Sequence, residues 1–246
     1  MIDASDASGS TDEESNGAAA PSMGAILLAG GRGTRLDGVD KPLLMIDGDS
    51  LLNRTIDAAA AMGGVRPITI VGPDRPGAFT PEDSPAPLQR VREDPPYGGP
   101  AAAVIAALEA WRETCSELPH WTIVLACDLV DPASAVARLH EALAALIVSH
   151  ARTDGIHLTD RDGRAQWLMA CYRTSALVRA ARAAPARGAG TSMRALIGPL
   201  DLIALPPAPE ESGPLDIDTW DDLRRAGAHA PVTAPATSTA PSKETP

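Results

Sequence analysis

Little in this sequence is aromatic: one Phe, two Tyr and four Trp among 246 residues, although 44% of the chain is hydrophobic. A core must therefore be built from Ala, Leu, Val and Ile, and the length allows one sizeable core or two. Cysteine is scarce as well. Cys115, Cys127 and Cys171 are odd in number, widely spaced and form no CxxC. That pattern argues against a disulfide framework or a zinc site and fits a reducing cytoplasm. No run of about 18 apolar residues occurs, so the sequence offers no membrane span. The first 22 residues have neither a basic start nor an apolar stretch, unlike a secretory signal. Positive charge is in deficit: 21 Lys and Arg face 32 Asp and Glu, a net of -11. Five of those acids, Asp3, Asp6, Asp12, Glu13 and Glu14, stand near the start with no basic residue among them. The body remains acidic without them, which argues against nonspecific binding to nucleic acid or an anionic membrane. Against such a background a local cluster of Arg and Lys carries information.

What is present falls into three stretches. Residues 1–22 are polar, small and acidic, and residues 228–246 are rich in Pro, Ala and Thr. Both are predicted to be disordered tails, because neither can bury enough apolar surface to offset ordering. Residues 23–227 are predicted to be one domain. Within it, apolar strands alternate with helices. Strands are expected at "AILLA" (Ala25–Ala29), "ITIV" (Ile68–Val71), "PLQRV" and "TIVLA" (Thr122–Ala126), with helices at "SLLNRTIDAAAAMG", "PAAAVIAALEAW" and "PASAVARLHEALAALIV". Pro at the start of the last two suits a first helical turn. After them "GIHLTDRDGRAQWLMACYR" reads as a hairpin around Asp-Gly. Two short helices, a strand at "LIAL" and a final helix from Thr219 follow. Repeated strand–helix units with continuous apolar strands predict a three-layer α/β/α, Rossmann-like fold on a mostly parallel sheet. In such sheets ligands sit beyond the carboxyl ends of the strands. Three loops there stand out: Gly30–Lys41, Arg92–Pro100 and Cys127–Asp131.

The first loop, "LAGGRGTRLDGVDKPLL" (Leu28–Leu44), fits neither the Walker A spacing nor the dinucleotide GxGxxG. It has the physics of both. Glycines let backbone N–H groups approach an anion closely, and Arg32, Arg35 and Lys41 can neutralise phosphates. Pro42 biases Lys41 towards an extended conformation. In "LACDLVDP" Asp128 follows a buried strand and has no capping duty, since Asp131 before Pro132 fills that role. A carboxylate so placed suits Mg²⁺, which needs only one or two protein carboxylates when phosphates supply other ligands. In "REDPPYGGPAAA" an Asp and a Gly pair precede a helix start, a plausible anion seat.

The first loop resembles the signature of the molybdenum cofactor guanylyltransferase family, a group of nucleotidyltransferases with LAGG, then Arg-Leu or Arg-Met, Gly and Lys. The resemblance implies that Leu28, Ala29, Gly30 and Gly31 contact the nucleotide, that Arg35 and Lys41 face its triphosphate, and that Asp128 binds both metal and nucleotide. Residues 92–100 also resemble the family, which implies that Asp94 contacts the guanine nucleotide; a turn-shaping role stays open for it. "PLDIDTWDDL" resembles the closing segment, where Asp218 would bring a second carboxylate to Mg²⁺ unless it only caps the last helix. "RAQWLMACYR" resembles the segment where the acceptor enters, with Trp167 in place of the usual Pro. Catalytic roles thus fall to Arg35, Lys41 and Asp128. The implied reaction joins GTP to a molybdopterin-type phosphate acceptor with loss of pyrophosphate, with Mg²⁺ as cofactor. The implied protein is cytoplasmic, with no nucleic-acid or membrane partner, and the working expectation is a monomer. A cytidylyltransferase for the same acceptor, a sugar-phosphate nucleotidyltransferase and a non-catalytic nucleotide-binding domain remain alternatives. Cys127 and Cys171 read as small buried apolar residues, and His140 and His150 as surface residues.

Overall fold

The six residues Met23–Leu28 form β1 and show why the strands are continuous apolar runs: both faces of the sheet are covered, and every residue from Ala25 to Leu28 is buried. The computed structural model describes residues 21–31, 36–75, 88–207, 216, 217 and 219–230. A two-stranded ribbon, β2 (Met45–Ile46) and β3 (Asp49–Ser50), leads into α1 (Leu51–Ala61), whose N-cap Ser50 accepts from Asn53 N. Then follow β4 (Val65–Val71), β5 (Leu88–Val91), α2 (Pro100–Thr114), β6 (Trp121–Ala126) and α3 (Pro132–Val148). Asp131 caps α3 through Ser134 N at 3.0 Å, as the sequence predicts. A hairpin of β7 (Gly155–Thr159) and β8 (Ala165–Arg173) precedes α4 (Thr174–Ala183), α5 (Met193–Ile197), β9 (Leu202–Leu205) and α6 (Trp220–Arg225). Among the described residues no helix is long and apolar enough to cross a membrane.

One seven-stranded sheet has the order β5-β4-β1-β6-β8-β7-β9. Only β8 runs against the others, pairing antiparallel with both β6 and β7. The predicted α/β architecture with a mostly parallel sheet is the one observed. Side chains that point alternately to the two faces of the sheet fill two cores. On one face Ala25, Leu27, Ile123 and Leu125 pack against Ile56 of α1 and Leu139 and Leu143 of α3. On the other, Ile26, Leu28 and Val124 meet Val104, Leu108 and Trp111 of α2 and Leu177 of α4. The Trp111 indole N–H is buried there and donates to Thr69 Oγ1 at 2.6 Å, so that large ring leaves no polar atom unpaired. A third, smaller cluster positions the site. Leu36, within the first loop, and Leu44, just after it, pack on Ile217 and Leu223.

The boundaries of the domain need correction. Ser22 accepts a backbone bond from Trp121 N, and His229 exchanges backbone bonds with Met45 at 2.8 and 2.9 Å. Both belong to the fold although the sequence assigns them to tails. The apolar Ala228 beside His229 is buried in the third cluster, an anchor too short to show as periodicity. The rest of both predicted tails, residues 1–20 and 231–246, lies outside the described residues.

Candidate active site

Parallel alignment brings the carboxyl ends of β4, β1 and β6 side by side. The ladder continues past the strands: Ala29 N donates to Val71 O, and Cys127 N to Leu28 O. Gly72 makes this close approach possible. A Cβ there would stand 2.8 Å from the Ala29 carbonyl carbon and oxygen, and its φ is +156°. A side chain at Gly72 would push the end of β4 off the first loop.

A cleft of about 370 Å³ opens over these ends. Leu28, Gly30, Gly31, Lys41 and Asp128 line it, so five of the predicted residues converge although 100 positions separate Leu28 from Asp128. Gly31 has φ +123°, a backbone state that suits glycine and turns the chain away from β1 into the loop. Lys41 opens a short 3-10 turn, Lys41–Leu43, in which Pro42 fills an early position. Its ammonium stands 3.5 Å from Asp128 Oδ2, with both side chains mostly buried. Among the described residues this pair gives the cleft a cation able to meet phosphate oxygens and a carboxylate able to take a divalent metal.

Asp128 is set by its backbone. Its carbonyl accepts from Ile217 N at 3.1 Å, and Leu129 bridges to Asp216. The closing segment thus packs directly on the strand end that carries the carboxylate. Asp218 itself lies outside the described residues, as do Arg32 and Arg35. Capping of α6 is accomplished by Thr219 and Asp222, whose side chains bond each other's backbone N–H reciprocally.

Two predicted contacts shift. Ala29 does not line the cleft; its methyl belongs to the opposite core, because successive residues of a strand face opposite ways. What it contributes is a carbonyl. Asp94 also turns away, towards an outer hollow shared with Arg92, Glu109 and Arg187. The carboxylate on the cleft wall is its neighbour, Glu93, which is 8% exposed and accepts from Tyr97 N at 3.1 Å through Oε1. Nothing in the sequence separates two adjacent acids before Pro-Pro.

Arg75 is the larger omission. Its guanidinium donates to both oxygens of Asp40 at 2.6 Å, to the Ala29 carbonyl at 2.7 Å and to the Pro73 carbonyl at 3.3 Å. The side chain is 9% exposed. It ties the residue before Lys41 to the residue before Gly30, a bidentate geometry that lysine cannot reproduce. Gly72-Pro73-Asp74-Arg75 is a fourth loop at a strand end, but nothing in it marks the distant partners of Arg75. Cys127 lines the cleft beside Asp128, but burial pushes its thiol up and Asp128 pushes it further, while Arg75 opposes. A protonated thiol is neither nucleophile nor metal ligand.

A family model described as MobA-like NTP transferase domain matches residues 25–201. Among curated proteins, the molybdenum cofactor guanylyltransferase of Burkholderia lata is 32% identical over 131 residues, 51% of this chain and 58% of that protein. The Rhodopseudomonas palustris (strain HaA2) protein of the same name is 35% identical over 125 residues, 50% and 55% of the two chains. The chain thus spans less than three fifths of the length of these relatives. Among solved structures, Rv0371c from Mycobacterium tuberculosis superposes with a TM-score of 0.57 at 22% identity, covering 84% of this chain and 97% of its own. A nucleotidyl transferase from Methanothermobacter thermautotroptrophicus gives 0.56 at 20% identity, covering 83% and 95%. Both establish the fold.

Proposed function

The chain belongs to the family of MobA-like NTP transferase domains, and from that premise we propose that it transfers GMP from GTP to a molybdopterin-type phosphate acceptor. The observation that carries this reading is the meeting of Lys41 and Asp128, 3.5 Å apart, at a cleft whose floor is Gly30 and Gly31. An oxygen of the acceptor's phosphate attacks the α-phosphorus in line. The bond from that phosphorus to the bridging oxygen breaks, and pyrophosphate leaves with the electron pair. The protein supplies position and charge: the glycine backbone follows the triphosphate, and Lys41 neutralises charge building on the leaving group. Arg35 is proposed to share that task. The names of the curated relatives support the guanylyl reading.

The site chemistry fits magnesium. Asp128 presents a carboxylate oxygen, the hard ligand that Mg²⁺ prefers. When bound, Mg²⁺ supplies charge neutralisation at the phosphates, with Asp128 as its protein ligand and Asp218 as a second candidate. Guanine recognition is assigned to Glu93 in place of Asp94. With Oε1 committed to Tyr97 N, Oε2 is left to accept from guanine N1–H or N2–H₂. The enzyme is proposed to act as a cytoplasmic monomer. Pyrophosphate release is the test, measured with each of the four nucleotides, with and without molybdopterin. Acceptor-dependent release from GTP is expected. Release from CTP in preference would replace guanylyl with cytidylyl transfer, and no release from any nucleotide would overturn the reading.

A further inference from the structure

Tyr97 is an anomaly in two respects. In a chain with two tyrosines, Tyr172 is fully buried, as is Trp111, whereas Tyr97 is 49% exposed; Trp220 is exposed too, but of the two it is Tyr97 that lines the cleft. Its φ is +63°, a left-handed backbone that a residue with a bulky side chain adopts only at an energetic cost. Such a state persists when the surroundings over-determine it, and here they do. Glu93 Oε1 holds the Tyr97 N–H, and the Gly98 carbonyl accepts from Gly190 N at 2.9 Å. A Cβ on Gly98 would stand 2.9 Å from the Ala102 methyl, so the turn is also packed tightly from behind. Glycine would satisfy the same backbone without strain. The structure thus holds an aromatic residue at a strained position, on the wall of a cleft whose apolar lining includes Leu28, Val71 and Ala103.

We infer that Tyr97 is a base-stacking residue: its ring covers one face of the purine while Glu93, through the same turn, reads the edge. This rests on the proposal that the cleft takes a nucleoside triphosphate. Stacking of a base on an aromatic ring is sequence-tolerant and contributes at the base end alone. Removing the ring should therefore weaken nucleotide binding without touching the phosphate end.

Equilibrium binding to the full chain separates the possibilities, with GTP and inorganic tripolyphosphate as probes and thermal unfolding in parallel. Tyr97→Gly should raise the GTP dissociation constant about 10- to 100-fold. Tripolyphosphate affinity should stay unchanged, and the melting temperature should hold or rise because the strain is relieved. Tyr97→Phe should keep GTP affinity. Three results would overturn the inference while leaving the nucleotide site intact: Tyr97→Gly binding GTP like the parent, an equal loss of tripolyphosphate, or a loss in Tyr97→Phe as large as in Tyr97→Gly. A parent protein that binds tripolyphosphate but no nucleoside triphosphate removes the proposed function, and this inference with it.

Discussion

The sheet divides at β6 into two unlike halves. On one side β5, β4, β1 and β6 all run parallel, and their ends deliver Gly72, Gly30, Lys41 through the first loop, and Asp128. On the other, β8 is reversed, so what it brings to the same edge is its beginning, Ala165 to Leu168, not its end. That beginning is irregular. His157 pairs with Ala170 but Leu158 pairs with Gln166, so Trp167, Leu168 and Met169 have no partner in the ladder with β7, although Met169 still pairs with Leu125 of β6; Trp167 lies against the His157 ring. Among the described residues, Leu168 alone of this half lines the cleft. The parallel half has glycines and charges where strands stop; the reversed half has an apolar bulge and an aromatic pair. Phosphate chemistry is proposed for the first, and the acceptor approach, marked by Trp167, for the second.

The comparison breaks most decisively at Asp128. Asp128→Asn keeps the shape of the side chain and removes its charge. Loss of a metal-held charge costs several kcal/mol in the transition state, so turnover should fall at least about 100-fold with the fold intact. Normal turnover of that variant at low Mg²⁺ would show that the parallel half does not hold the metal there.

Arg75 tests whether that half works as a unit. Arg75→Ala leaves the Asp40 carboxylate, which is exposed enough to be rehydrated, and the Ala29 carbonyl without this donor, the latter at a cost of up to about 1–3 kcal/mol. Lys41 then loses its brace. Turnover should fall about 10-fold or more through kcat, and Arg75→Lys, which cannot bond both Asp40 oxygens and the carbonyl together, should restore it only in part. Stability lost with kcat unchanged would reduce Arg75 to a structural tie.

Neighbouring acids give a finer test. Glu93→Gln should weaken GTP binding about 10-fold, whereas Asp94→Asn should change it less than about 2-fold, because its side chain faces the outer hollow. The reverse outcome would restore the assignment read from the sequence.

These cases show what a sequence can convey. The central strands β1 and β6 were legible because each is a nearly uninterrupted apolar run, and Gly30, Gly31, Lys41 and Asp128 drew attention because loops at strand ends collect chemistry. Arg75 was not legible: its partners lie 35 and 46 positions away, and nothing local marks them. Glu93 and Asp94 are adjacent, so choosing between them requires knowing which face of the chain meets the cleft, which the turn after β5 decides. The bulge in β8 is invisible for the same reason, since its apolar residues suit a regular strand equally well.

The smallest expected effect compares the buried thiols of the two halves. Cys171, in β8, is fully buried between β6 and β7, and burial alone pushes its thiol up from 9.0 to about 12. Cys127, beyond β6, is raised by burial and by Asp128, with Arg75 opposing. A thiol raised in the folded state stays protonated while the unfolded chain ionises. The unfolded state then binds fewer protons, so stability is complete below about pH 9 and falls as pH climbs towards the folded value. At pH 9.5 each such thiol should have cost about 0.8 kcal/mol, before tyrosine ionisation in the unfolded chain adds to the slope. Chemical denaturation at pH 7.5 and 9.5 measures it. Cys171→Ala should lower stability at both pH values through the cavity it leaves, yet shrink the difference between them by that amount. Asp128→Asn should ease the ionisation of Cys127, detectable as faster alkaline thiol labelling, and leave Cys171 unchanged. Equal acceleration at both cysteines would mean that the variant loosens the whole sheet, and that the charge at the end of β6 is not confined to the parallel half.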